Sequence, residues 1–127
     1  MPTFGSEAIG ALQKAMQFRM ARESVIAGNI ANADTPGYRR RDIEFEGVLA
    51  ETRGRMARTH AGHLEARATD PSRARVEIGP RGSRPDANGV DLDQELVAAH
   101  RNAGAFIDQA NVLARLSTLV RTAIGQS

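Results

Sequence analysis

His60 and His63 are the first residues to test for chemistry, because His-Ala-Gly-His has a spacing that a helix can use to hold a metal ion. Gly62 and the loop-forming residues around the pair argue against a helix there, and no acidic or thiol ligand is placed to complete a site. His100 falls one place beyond Ala99, on the flank of a helical stripe. Gly79-Pro80-Arg81-Gly82 has glycines but lacks the lysine and the strand-to-helix setting of a phosphate loop. Asp91 and Asp93 sit where a helix starts, and the helix dipole accounts for them without catalysis. The chain contains no cysteine, which excludes disulfides, thiol catalysis and thiolate metal sites. The sequence therefore assigns no catalytic residue, no metal and no cofactor, and the chain does not read as an enzyme.

Arginine is the remaining chemistry. Sixteen of the seventeen basic residues are Arg, the formal net charge is +2, and eight arginines between Arg53 and Arg84 face only Glu65, Asp70 and Glu77. Positive charge in a stripe is what phosphate contacts need. However, the basic zone has one aromatic at its edge, Tyr38, and no platform for stacking bases. An Arg-rich, helical nucleic-acid-binding protein is the alternative from another class, and a soluble coiled-coil adaptor is a third. Steep salt dependence of duplex binding would mark the nucleic-acid reading; the expectation is no nucleic acid. No run approaches the roughly 18 apolar residues that span a bilayer, so no direct membrane insertion is expected. Met1 to Glu7 also lacks the basic start and apolar run of a secretory signal.

The elements that must carry these residues fall into three zones. Residues 1–38 hold a first helix, from about Ser6 to Ala33, with Ile9, Leu12, Met16, Ile26 and Ile30 on one stripe. Arg19 and Glu23 interrupt that stripe; four apart, they can pair along the helix or each meet another chain. Pro36 ends the helix, and Pro36-Gly37 fits the centre of a type II turn. Residues 39–88 are irregular. A short amphipathic helix is expected to begin near Asp42 and to carry Ile43, Phe45, Val48 and Leu49. Val76-Glu77-Ile78 is the clearest strand, with a second expected near His63 to Ala66, in a loose, Arg-rich arm. Asn88-Gly89 marks a turn, and Asp91 with Gln94 three places on is a helix start.

Residues 89–127 carry the cleanest periodicity. Leu92, Leu96, Ala99, Ala103, Phe106, Ala110, Leu113, Ser117, Val120 and Ile124 alternate by four and three, a heptad seam. A helix of that length needs a partner helix along most of its surface, from the first zone, other subunits or both. Aromatics make up only 4% of the chain, so a dense single core is not expected. The fold class is mainly α: two long terminal helices forming one coiled-coil-like α-helical domain, with a short helix and a loose, β-poor middle.

Asn29-Ile30-Ala31-Asn32-Ala33-Asp34-Thr35-Pro36-Gly37-Tyr38, about thirty residues from the start, closely resembles the N-terminal signature of the bacterial flagellar rod, hook and hook-associated axial family. Asn29, Ile30, Ala31, Asn32, Thr35, Pro36, Gly37 and Tyr38 are its motif and interface candidates. Arg41-Asp42-Ile43-Glu44-Phe45 and Asn88-Gly89-Val90-Asp91-Leu92-Asp93 are similar to the short proximal-rod members. The other small proximal-rod protein has a longer insertion before its tyrosine, whereas here Tyr38 follows at once. The resemblance implies a structural subunit of the basal-body rod, on the periplasmic side of the inner membrane. It implies type III export without a cleaved signal peptide. It also implies, as partners, other copies of the chain, other rod proteins, a ring-adjacent adaptor and the export gate. On that view Asn29 and Asn32 fix register between chains, and isolated subunits gain helix on assembly.

Overall fold

The computed structural model describes residues 4–43 and 75–125. Helix α1 spans Phe4–Ala31, a proline-free stretch with Glu7 in its first turn, where a carboxylate favours the positive end of the dipole. It stops before Pro36 is reached. The Asn32 N–H is shared between the Gly28 and Asn29 carbonyls at 3.2 Å, and the Asn32 side-chain amide donates to the Gly28 carbonyl at 2.8 Å. A side chain that takes a terminal carbonyl does what another helical turn would have done. The Pro-Gly turn forms as expected: Tyr38 N–H donates to the Thr35 carbonyl at 3.2 Å, and Gly37 takes φ +71° at the third position.

The chain leaves this turn extended. Arg41–Ile43 is strand β1, and it pairs antiparallel with strand β2, Val76–Ile78, with Arg41 opposite Ile78 and Ile43 opposite Val76. Asp42 and Ile43, expected at the start of a short helix, are therefore strand residues. The Asn29 side chain takes both the Arg41 N–H and the Arg41 carbonyl, a sideways pair that a helical residue cannot present because both groups point along the axis. Phe45, Val48 and Leu49 of that expected helix, and the strand expected near His63 to Ala66, lie outside the described residues.

Beyond β2 the reversal is also displaced from its expected position. It is made by Arg84 to Ala87, with Pro85 second and the Ala87 N–H bonded to the Arg84 carbonyl at 2.8 Å, not by Asn88-Gly89. Asn88 is instead buried. Gly82 is forced by close approach: a Cβ there would lie 1.8 Å from the Asn88 carbonyl oxygen.

Helix α2 spans Leu92–Gly125, 34 residues and so about 51 Å at ~1.5 Å per residue. Asp91 caps it as expected, its Oδ1 accepting the Asp93 and Gln94 N–H groups at 3.1 and 3.3 Å. The two helices pack antiparallel along their lengths. Asn29 meets Glu95, Glu23 meets Asn102, and a Cβ at Gly5 would touch Val120. Glu23 to Gly5 is eighteen residues back along α1, and Asn102 to Val120 is eighteen forward along α2, so one register holds throughout. The buried apolar residues among those described are Phe18, Ile26, Ala33, Ile43 and Val90, and four polar ones, Asn29, Asn88, Glu95 and Asn102, are buried with them. The interior is small and half polar, so most of the aliphatic surface of α2 lies elsewhere.

Candidate functional site

The densest arrangement of polar side chains lies where α1 ends, β1 runs past and α2 begins. Asn29 is fully buried and sits at its centre. Its amide nitrogen donates to the Arg41 carbonyl at 2.7 Å and to Glu95 Oε2 at 3.0 Å. Its oxygen accepts the Arg41 N–H at 3.0 Å and the Tyr38 hydroxyl at 3.4 Å. The side chain thus acts as a short extra strand along β1 while also pinning the other helix. Glu95, likewise fully buried, receives Arg40 Nε on its second oxygen.

An alternating chain of charge continues outward. Arg40 Nη2 lies 3.0 Å from Asp42 Oδ2, and Arg22 on α1 grips Asp42 with Nε at 3.0 Å and Nη2 at 3.2 Å. Two arginines thus alternate with two carboxylates, so each carboxylate is paired with at least one guanidinium. Burial alone would raise the Asp42 carboxyl. The Arg22 hydrogen bonds and charge, the Ile43 N–H and Arg40 outweigh it and hold the group below the usual aspartate range. Burial likewise opposes the charge on Arg40, and Glu95 and Asp42 more than restore it.

A second clamp closes the junction. Asn88 donates its amide to the Asn32 carbonyl at 2.9 Å and the Thr35 carbonyl at 2.7 Å, and its oxygen accepts the Val90 N–H at 2.8 Å. Backbone bonds from Gly37 to Asp86 and from Gly89 to Tyr38, both 2.8 Å, run alongside. The end of α1 and the start of α2 are thereby one body.

The motif residues divide by what they do here. Asn29 and Tyr38 bind within the junction, with the Arg41 guanidinium 5.8 Å over the Tyr38 ring. Asn32 caps the helix and accepts the Thr35 hydroxyl at 3.1 Å. Ile30 is half-buried; Ala31, Thr35, Pro36 and Gly37 are exposed. All four hydrogen-bonding positions of Asn29 are taken inside this chain.

On α2, Ala99, Phe106, Ala110, Leu113, Ser117 and Val120 are half-buried, whereas Leu92, Leu96, Ala103 and Ile124 are exposed. The line of deepest contact with α1 runs one residue earlier than the Leu96–Ala103–Ala110 line, through Glu95 and Asn102. Glu23 meets Asn102 Nδ2 at 2.8 Å, and the same amide reaches the Arg19 carbonyl at 2.8 Å, so Glu23 is engaged across the helices of one chain. Glu95, Arg40, Asp42, Arg22, Asn88 and Asn102 were not singled out as site residues from sequence. Asp42 and Asn88 fall within the two family-like stretches, and Glu95 and Asn102 leave their trace as polar residues at seven-residue spacing, with Gln109, beside the aliphatic stripe.

Among the described residues no three His or acidic side chains come together as a metal site, and no helix is long and apolar enough to cross a membrane. His100 is exposed on α2, and His60 and His63 lie outside the described residues.

Two antiparallel helices locked at one end by an Asn-centred junction, with aliphatic side chains facing out, define a helical hairpin of the kind that packs against neighbouring helices. Residues 8–39 match the family model described as flagella basal body rod protein. The chain is 40% identical over 93 residues to the flagellar basal body rod protein FlgB of Escherichia coli strain K12, a match covering 65% of this chain and 67% of that one. It is 34% identical over 101 residues to FlgB of Aeromonas hydrophila, covering 76% of each, and 29% identical to FlgB of Bacillus subtilis strain 168, covering 72% of each. The chain belongs to the FlgB family of flagellar basal body rod proteins.

Proposed function

We propose that this chain is a structural subunit of the proximal rod of the flagellar basal body, built into the rod by helix packing against other rod proteins and copies of itself. One observation carries the packing mode: many of the aliphatic residues of α2 are exposed. Leu96, Ile107 and Leu119 are 52%, 59% and 67% exposed, and Val97, Val112 and Ile124 are exposed with them. Single exposed aliphatics are ordinary on a small protein, but a run of them along ~50 Å of helix marks a surface that another molecule covers. The three zones, 1–38, 39–88 and 89–127, act as one axial unit. The chain reaches the periplasmic side of the inner membrane through the type III export route without a cleaved signal, and meets a ring-adjacent adaptor and the export gate on the way. No catalytic step is assigned to it. Family membership supports a structural role.

Leu119→Asp and Leu96→Asp test the docking surface. Both positions are exposed, so each variant keeps the unfolding free energy of the isolated chain within about 0.5 kcal/mol. In cells each abolishes rod assembly and motility, because the introduced charge is buried without a partner. Normal motility in both variants would rule out this face as the packing surface.

A further inference from the structure

The two most deeply buried residues of α2 are both polar. Glu95 and Asn102 alone among its described residues are buried, and they lie seven apart, one heptad. Gln109 follows one heptad later with its Oε1 buried and accepting no hydrogen bond from the described residues, and Asn102 Oδ1 is in the same condition. The shared register sets Gln109 level with Ala15 and Met16 of α1, which have no side-chain donor. The helix has placed amides and a carboxylate on its inner line and aliphatics on its outer surface. At Asn102 and Gln109 this arrangement lowers the stability of the pair, since a leucine there would bury apolar area and remove an unpaired amide oxygen.

We propose that Glu95, Asn102 and Gln109 form a polar line that selects the register of α2 on α1. A coiled-coil groove filled only with alanine and leucine is nearly degenerate to a slip of seven residues, because the pattern repeats. The polar line removes that degeneracy. Glu95 is satisfied only where Asn29 and Arg40 meet it, and Asn102 only beside Glu23 and the Arg19 carbonyl. A slip of one heptad that brings Asn102 to the place of Glu95 leaves Arg40 without its buried carboxylate, while Gln109 arrives opposite Glu23 with one methylene too many. The role belongs to pairing inside one chain, so it stands apart from the docking surface proposed above. It uses residues that lie off the aliphatic stripe.

The absence of native cysteine makes disulfide trapping in the full chain a direct test. Gly5→Cys with Val120→Cys reports the observed register, because a Cβ at Gly5 lies 3.1 Å from the Val120 side chain. Leu12→Cys with Val120→Cys reports that slip of one heptad, because Leu12 lies seven residues on from Gly5 and takes its place opposite Val120. In the otherwise unchanged chain, mild oxidation closes the first pair and leaves the second reduced. In the Asn102→Leu, Gln109→Leu background the second pair also closes, at least about tenfold above its starting level, while the unfolding midpoint of the cysteine-free double variant rises by roughly 5 °C. A silent slipped pair in a folded leucine background would overturn the proposal, as would a fall in that midpoint. Asn102→Leu alone, scored by the same two pairs, decides the matter if the double variant does not fold.

Discussion

A primary amide has two hydrogens to give and two lone pairs to fill, and at Asn29 all four positions are occupied by groups from three separate elements. Asn29→Ala strands the Arg41 N–H, the Arg41 carbonyl and one Glu95 oxygen in a dry place. Each stranded group costs about 1–3 kcal/mol before relaxation and water entry soften the loss, so a net destabilisation of ~3 kcal/mol is expected, read as a lower urea midpoint at unchanged slope. An unchanged midpoint would mean that the amide is dispensable. Asp42 gives a pH signature. Its carboxyl is held below the ordinary aspartate range in the folded chain, so its contribution is complete above the unfolded value of about 4 and disappears as pH falls through the lower folded one. Stability measured from pH 6 down to pH 2 should fall across that window, and Asp42→Asn should flatten the fall. An identical profile in the variant would remove Asp42 from the account.

The elements that connect the helices are governed by backbone constraints, and two substitutions separate them. Gly82→Ala drives a methyl into the Asn88 carbonyl and should destabilise by about 2–3 kcal/mol in a denaturant titration. Ala87 sits at φ +58°, where a side chain is disfavoured, so Ala87→Gly should gain about 0.5–1 kcal/mol even after the added freedom of the unfolded chain. A loss on Ala87→Gly would refute that reading. At this scale the sequence was informative wherever a rule is local. The first helix, the Pro36-Gly37 turn, the Val76–Ile78 strand and the Asp91 cap all follow from neighbours within four residues. The failures have a common cause. Asp42 and Ile43 lie in an amphipathic-looking stretch, but a side chain twelve positions away takes the Arg41 backbone and makes the segment a strand. Asn88-Gly89 has the composition of a turn, but its asparagine is used to bind two carbonyls more than fifty residues earlier. Reading hydrophobicity along α2 finds the aliphatic stripe and misses the inner line by one residue, because Glu95, Asn102 and Gln109 are the kind of residue that periodicity counts as outward.

The described residues form a hairpin of two helices with few buried apolar side chains and many exposed ones, and the stability of the chain should depend on company. Self-association covers aliphatic surface only in the folded state, so the thermal midpoint should climb as the chain is concentrated from about 1 to 100 μM, by several degrees, with a parallel gain in helix by circular dichroism. A midpoint independent of concentration would show a self-sufficient monomer. The hydrogen-bonded clamp around Asn88 and Tyr38 also bears on tolerance to insertion. Ile43 and Val76 face each other across one strand spacing, about 5 Å, so the polypeptide departs and returns through a single narrow portal on an already closed frame. Whatever is spliced between those two points, whether a two-residue bend or a foreign domain, hangs from the frame without prying it open. Cargo of very different size could therefore ride on the same pair of helices.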